Sequence, residues 1–151
     1  MVGLCTSLTV LNCQCNLADG VEGLSSLASL KQLRELSLTA YKVPPRAQLP
    51  SSLSALSALQ MLNISVDWRL TGDRPVHLRL PWAWCQTATQ VTTMLLNSVL
   101  LPSAAEGSSL VNSIEPGSAS IFPALRELRL EAAHDYIEVM AFGCCQSLQN
   151  L

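Results

Sequence analysis

The sequence predicts an α/β fold built by stacking: a solenoid with a curved parallel β-sheet on its concave side and short helices, 3-10 turns and loops on its convex side. Three observations predict it. LxxLxL occurs cleanly at Leu33-xx-Leu36-x-Leu38, Leu59-xx-Leu62-x-Ile64 and Leu125-xx-Leu128-x-Leu130, with weaker copies at Leu8-xx-Leu11-x-Cys13 and Val91-xx-Met94-x-Leu96 and a partial one at Leu148-xx-Leu151. Their first positions are spaced by 25, 26, 32, 34 and 23 residues, a period that belongs to a stacked array. With 49% hydrophobic and 13% charged residues in 151, the chain is apolar enough for one continuous core and far from a disordered composition. A single domain over 1–151, of five to six irregular units, is expected.

The elements follow in order. Alternation across each motif places strands near 10–14, 35–39, 61–65, 93–97 and 127–131, because successive side chains of a strand point to opposite faces. Asp19-Gly20 is a turn signal, and Leu24, Leu27, Leu30 and Leu33 recur every third residue, which suits a short helical or 3-10 stretch with one apolar stripe. Pro44-Pro45 and Pro50 exclude a continuous helix in the second return and favour extended or turn backbone as far as Ser51. The third return, near 67–90, is long; its alternating run Val76-His77-Leu78-Arg79-Leu80 suits an extra short strand. The fourth, near 99–121, is rich in Ser, Ala, Gly and Pro and reads as a surface loop. After the last strand, Ile137, Met140, Ala141 and Cys144 follow helical spacing, with Asp135 as N-cap.

The chemistry of the motif explains the stack. Its leucines face one side and make a core, and each buried one contributes roughly 1.5–3 kcal/mol. One unit has too little apolar area to close that core, so a neighbour must cover it. Each return brings the chain back to start a strand in the same direction, so the strands pair in parallel.

The residues that carry the motif resemble the leucine-rich repeat family, whose unit reads LxxLxLxxN followed by a return, and the resemblance runs from about Leu4 to Leu151. The stretch LPSSLSALSALQMLNIS, 49–65, is similar to plant-type repeats and those of small-GTPase scaffolds; IEVMAFGCCQSLQNL, 137–151, resembles the cysteine-containing repeats of F-box proteins. The chain opens on Leu4 and Leu8 and stops at the second leucine of a motif, so it reads as a fragment of a longer repeat protein, with open sheet edges prone to pair or aggregate. The resemblance implies a non-catalytic module that binds a partner protein through the concave face. It also leaves open a substrate-selecting segment of an F-box-like ubiquitin ligase or a kinase-type regulatory protein, and a structural spacer in a cytoskeletal or axonemal scaffold.

Strand parity names the residues of that face. They are Val10, Asn12 and Gln14; Glu35, Ser37 and Thr39; Met61, Asn63 and Ser65; Thr93, Leu95 and Asn97; and Glu127, Arg129 and Glu131. Most are small and polar, and strands about 4.8 Å apart would set them side by side. A second patch has two readings. All three tryptophans, Trp68, Trp82 and Trp84, lie in the third return with Arg69, Arg74 and Arg79, which suits either a recognition patch or tryptophans that cover the flank of the stack.

Other functions find little support. A net charge of −2 from 11 acidic and 9 basic residues spread along the chain provides no field for nucleic acid. Cysteines 5, 13, 15, 85, 144 and 145 form no C-x-x-C pair and lack the paired capping cysteines of extracellular repeat proteins, so free thiols are expected, with Cys13 a small core residue at a leucine position. His77 and His134 stand in no metal-binding or triad spacing, and there is no phosphate loop or nucleophile elbow. No catalytic, cofactor-binding or metal-binding residue, and no small-molecule substrate, is therefore expected. The first residues lack a basic leader and no run of about 18 apolar residues exists; composition points to the cytoplasm, with cytoskeleton or cilium axoneme as the alternative. Asn63-Ile64-Ser65 matches a glycosylation sequon, but so short a match arises often by chance and its Asn is expected as a surface residue of the sheet.

Overall fold

A computed structural model describes residues 7–67, 78–100 and 122–131. Five strands form one parallel sheet: β1 (Val10–Asn16), β2 (Glu35–Tyr41), β3 (Met61–Val66), β5 (Thr93–Asn97) and β7 (Glu127–Glu131). They lie in chain order, β1-β2-β3-β5-β7. A second sheet pairs the two-residue strands β4 (Leu78–Arg79) and β6 (Val99–Leu100) in parallel. Among the described residues the fold is thus α/β-like with little helix.

The register follows the sequence motif. Leu11, Leu36, Leu62, Met94 and Leu128 are successive partners, as are Cys13, Leu38, Ile64, Leu96 and Leu130. Leu62 and Met94 at the centre are fully buried, and Leu36 and Leu128 nearly so. Burial alternates along β2 and β3 with period two, as expected of strands with one covered face.

Each return brings the backbone in by the same route. The N–H groups of Arg34 and Glu35 both donate to Thr9 O, at 2.7 and 3.0 Å, and those of Gln60 and Met61 both donate to Arg34 O, at 2.8 and 2.9 Å. Thr92 and Thr93 repeat this on Gln60 O, and Arg126 and Glu127 on Thr92 O. Three residues before each motif an apolar residue, Leu30, Leu56, Ala88 or Phe122, accepts from the motif's first N–H at 3.0 to 3.4 Å. Leu30, Leu56 and Ala88 share one conformation (φ −84, −78 and −77°; ψ 67, 66 and 60°), close to the inverse γ-turn near about −75°, +65° that is common at loop starts. The tight corner lets a 3-10 helix end and a strand begin within a few residues.

The first two returns carry 3-10 helices, Glu22–Ser29 and Ser51–Ala55, and the third carries the six-residue helix α1, Trp82–Thr87. The first 3-10 helix packs on the second, and the second on α1. The Leu24-Leu27-Leu30 stripe therefore forms the 3-10 stretch its spacing predicts, and all three residues are buried. Pro50, in extended conformation (φ −65°, ψ 135°), delays the second 3-10 helix until Ser51. The core is one cluster between sheet and short helices.

Several expectations change. Val99 and Leu100, read as the start of a loop, form strand β6. The cause is Ser98, which takes a positive φ of 54° and turns the chain out of β5, while its carbonyl accepts from Leu78 N–H at 3.3 Å. The extra strand read around 76–80 is confined to Leu78–Arg79 among the described residues. Cys13 lies on the core side of β1 as parity requires, but is half-buried, because β1 has a strand neighbour on one side only among the described residues. The helix expected from Asp135, the cysteine-containing 137–151 stretch and His77 and His134 lie outside the described residues.

Candidate functional site

The outward face of the five-stranded sheet is the surface the sequence nominated. Parallel pairing without offset sets its residues in three straight rows. The first row is Val10, Glu35, Met61, Thr93 and Glu127; the second is Asn12, Ser37, Asn63, Leu95 and Arg129; the third is Gln14, Thr39, Ser65, Asn97 and Glu131. All the predicted face residues are thereby brought together. Val10, Asn12, Gln14, Glu35, Met61 and Arg129 are exposed, and Ser37, Thr39, Asn63, Ser65, Thr93, Leu95, Asn97 and Glu127 are half-buried between their neighbours. The Glu131 side chain lies outside the described part, although its backbone closes the third row.

A fourth row exists that parity, carried two residues further, would have found. Asn16 pairs with Tyr41, and Asp67 extends β3 beside them, its N–H donating to Ala40 O at 2.8 Å. Tyr41 is half-buried and is the one aromatic residue of this face among the described residues. Asn16 also closes the strand: its Oδ1 accepts from Ala18 N–H at 3.0 Å, an Asx-turn that stops the ladder.

The face differs in charge from one end to the other. At β7, Arg129 Nε donates to Glu127 Oε1 at 2.8 Å; this pair is open to solvent and contributes little to stability, about 0–1 kcal/mol. At β2, Glu35 has Val10 and Met61 as its cross-strand neighbours, and no ion pair to it occurs among the described residues. Val10 and Met61, 52 and 37% exposed, are the exposed large hydrophobic residues of the described surface. From β1 to β3 the second and third rows offer only amides and hydroxyls, which donate and accept hydrogen bonds without carrying charge.

The tryptophan patch is not a surface at Trp84. That side chain is 1% exposed and meets Phe122 edge to face, with ring centroids 6.1 Å apart and planes at 85°. α1 turns it inward because Pro81, in extended conformation before the helix, starts a turn whose Trp84 and Cys85 both fall on the core. Trp84 is therefore withdrawn as a partner-binding residue. Trp68 and Arg69 lie outside the described residues, as does the Trp82 side chain.

Cys13, Cys15 and Cys85 take part in no disulfide bond. Burial pushes the Cys13 thiol up, and Cys15 is pushed up to about 11 by burial first and by Cys13 beside it second. Both thiols are thus held protonated and weakly nucleophilic. Among the described residues no group of His, Cys, Asp or Glu is placed to hold a metal ion, and no helix is long and apolar enough to cross a membrane. No protein-family model, no curated protein and no solved structure matches the chain.

Proposed function

We propose that the chain is a leucine-rich-repeat solenoid module, without catalytic activity of its own, that binds a partner protein through the outward face of its sheet, the concave face of the solenoid. The observation that carries this reading is the alignment of the outward residues in straight rows across five strands. Such rows present many side chains to one extended partner, with the charged and apolar groups at fixed places among hydroxyls and amides. The recurring corner at Leu30, Leu56 and Ala88 and the packing of successive short helices support the solenoid.

The test compares two triple variants in affinity capture followed by crosslinking of the bound species. Glu35→Ala, Asn63→Ala and Arg129→Ala together alter the face; Gln32→Ala, Ser57→Ala and Gln90→Ala together alter exposed positions outside the strands. The first triple is expected to lose the partner, the second to keep it, with crosslinks mapping to the four rows. Equal capture by both, with the fold intact, overturns the reading and favours a structural spacer.

A further inference from the structure

We infer that Val10, Glu35 and Met61 form a subsite for a long cationic side chain, a lysine or arginine, presented by an extended segment of the partner; this rests on the reading of the face given above. The three residues are adjacent on three strands in one register row. The carboxylate is central and exposed, and the two exposed large hydrophobic residues of the described surface flank it, one on either side.

The arrangement fits a side chain with an apolar stem and a charged head. Lys and Arg lay their methylenes along apolar surface while keeping the charge in reach of a partner, and Val10 and Met61 supply that surface on both sides of the acid. The far end of the same row provides the comparison. There Glu127 meets the cation it needs within its own strand, Arg129 at 2.8 Å. Around Glu35 the strand neighbours facing outward are Val10, Met61, Asn12, Asn63 and Ser37, all uncharged. Arg34 precedes the strand and makes no ion pair with Glu35 among the described residues. The charge missing from this end of the face is thus positive, and an extended partner supplies it while the amides of Asn12 and Asn63 beside the subsite are placed to hydrogen-bond its backbone.

The test uses the whole chain and four nine-residue peptides of Ser, Thr and Val that differ at the central residue: lysine, arginine, norleucine or glutamate. Binding is followed by amide chemical shifts, which report site and affinity together. The lysine and arginine peptides are expected to bind with shifts centred on Val10, Glu35 and Met61, and the norleucine peptide about fivefold more weakly, the upper range for one solvent-exposed ion pair. Glu35→Gln should bring the lysine peptide to the norleucine level, and Val10→Ser or Met61→Ser should weaken lysine and norleucine peptides alike. All three positions are exposed, so the amide spectrum of each variant verifies the fold. Equal binding of lysine and norleucine peptides, or of the lysine peptide to wild type and Glu35→Gln, overturns the subsite while shifts confined to the rows keep the binding face. Shifts elsewhere, or no binding by any peptide, overturn both.

Discussion

Cys13 and Cys15 stand at alternate positions of β1, which has one strand neighbour among the described residues, and both are turned toward the core and half-covered. Burial penalises the thiolate more than the neutral thiol, so the folded protein prefers these groups protonated. For Cys15 the folded value is about 11 against an ordinary 9.0. The linkage has a definite sign: the stability from this preference is fully present below pH 9 and is lost as the pH rises toward 11, because the unfolded chain releases the proton first. The urea midpoint is therefore expected to hold level from about pH 7 to 8.5 and then to fall. Cys15→Ala should flatten the fall relative to wild type, which assigns the dependence to this thiol. The same covering explains why a leucine position can hold cysteine here. In a strand with one neighbour among the described residues, a small residue leaves less unfilled volume than it would at the centre.

Among the elements, α1 decides between the two readings of the tryptophans at Trp84, which is buried. The run Pro81-Trp82-Ala83-Trp84-Cys85-Gln86 leaves both a recognition patch and a cover for the flank open, because a helix of six residues is too short to show a period. Yet Trp84 fills the core against Phe122, a residue that returns from far along the chain to donate its N–H to Cys85 O at 2.9 Å. Trp84→Ala is accordingly expected to lower stability by about 3–5 kcal/mol, with Trp84→Phe costing less; denaturant titration measures both. A loss of partner binding by Trp84→Ala that exceeds its loss of folded protein would restore the tryptophan as a contact residue. The strands were the opposite case. Their register was legible because LxL fixes parity, and a shift of one residue would turn every leucine to water. Strand length was less legible: nothing in Tyr41 or Asn16 marks a strand end until Asn16 is seen to bond Ala18 N–H. The small β4–β6 sheet was half legible, since Leu78–Arg79 alternates but Val99–Leu100 depends on Ser98 taking a conformation with positive φ that a serine does not advertise.

At the scale of the molecule, strands in chain order and short helices that pack in succession make each part depend chiefly on its neighbours. β3 has a hydrogen-bonded strand on each side, β2 and β5, and its inward residues Leu62, Ile64 and Val66 are all buried. β1 has β2 alone among the described strands, and its inward residues are half-covered. Local opening should therefore be easier at β1 than at β3, because it exposes less apolar surface and breaks one ladder instead of two. Amide hydrogen exchange in β3 is expected to be slower than in β1 by more than about tenfold. Leu62→Ala tests how that protection is shared. Removing a core side chain of this size costs about 2–5 kcal/mol, and if stability is a sum of local and nearest-neighbour parts, protection should fall in β2, β3 and β5 while β1 changes least. An equal fall in every strand would mean that the sheet opens as one unit, and the face would then respond to a core change at any point along its length.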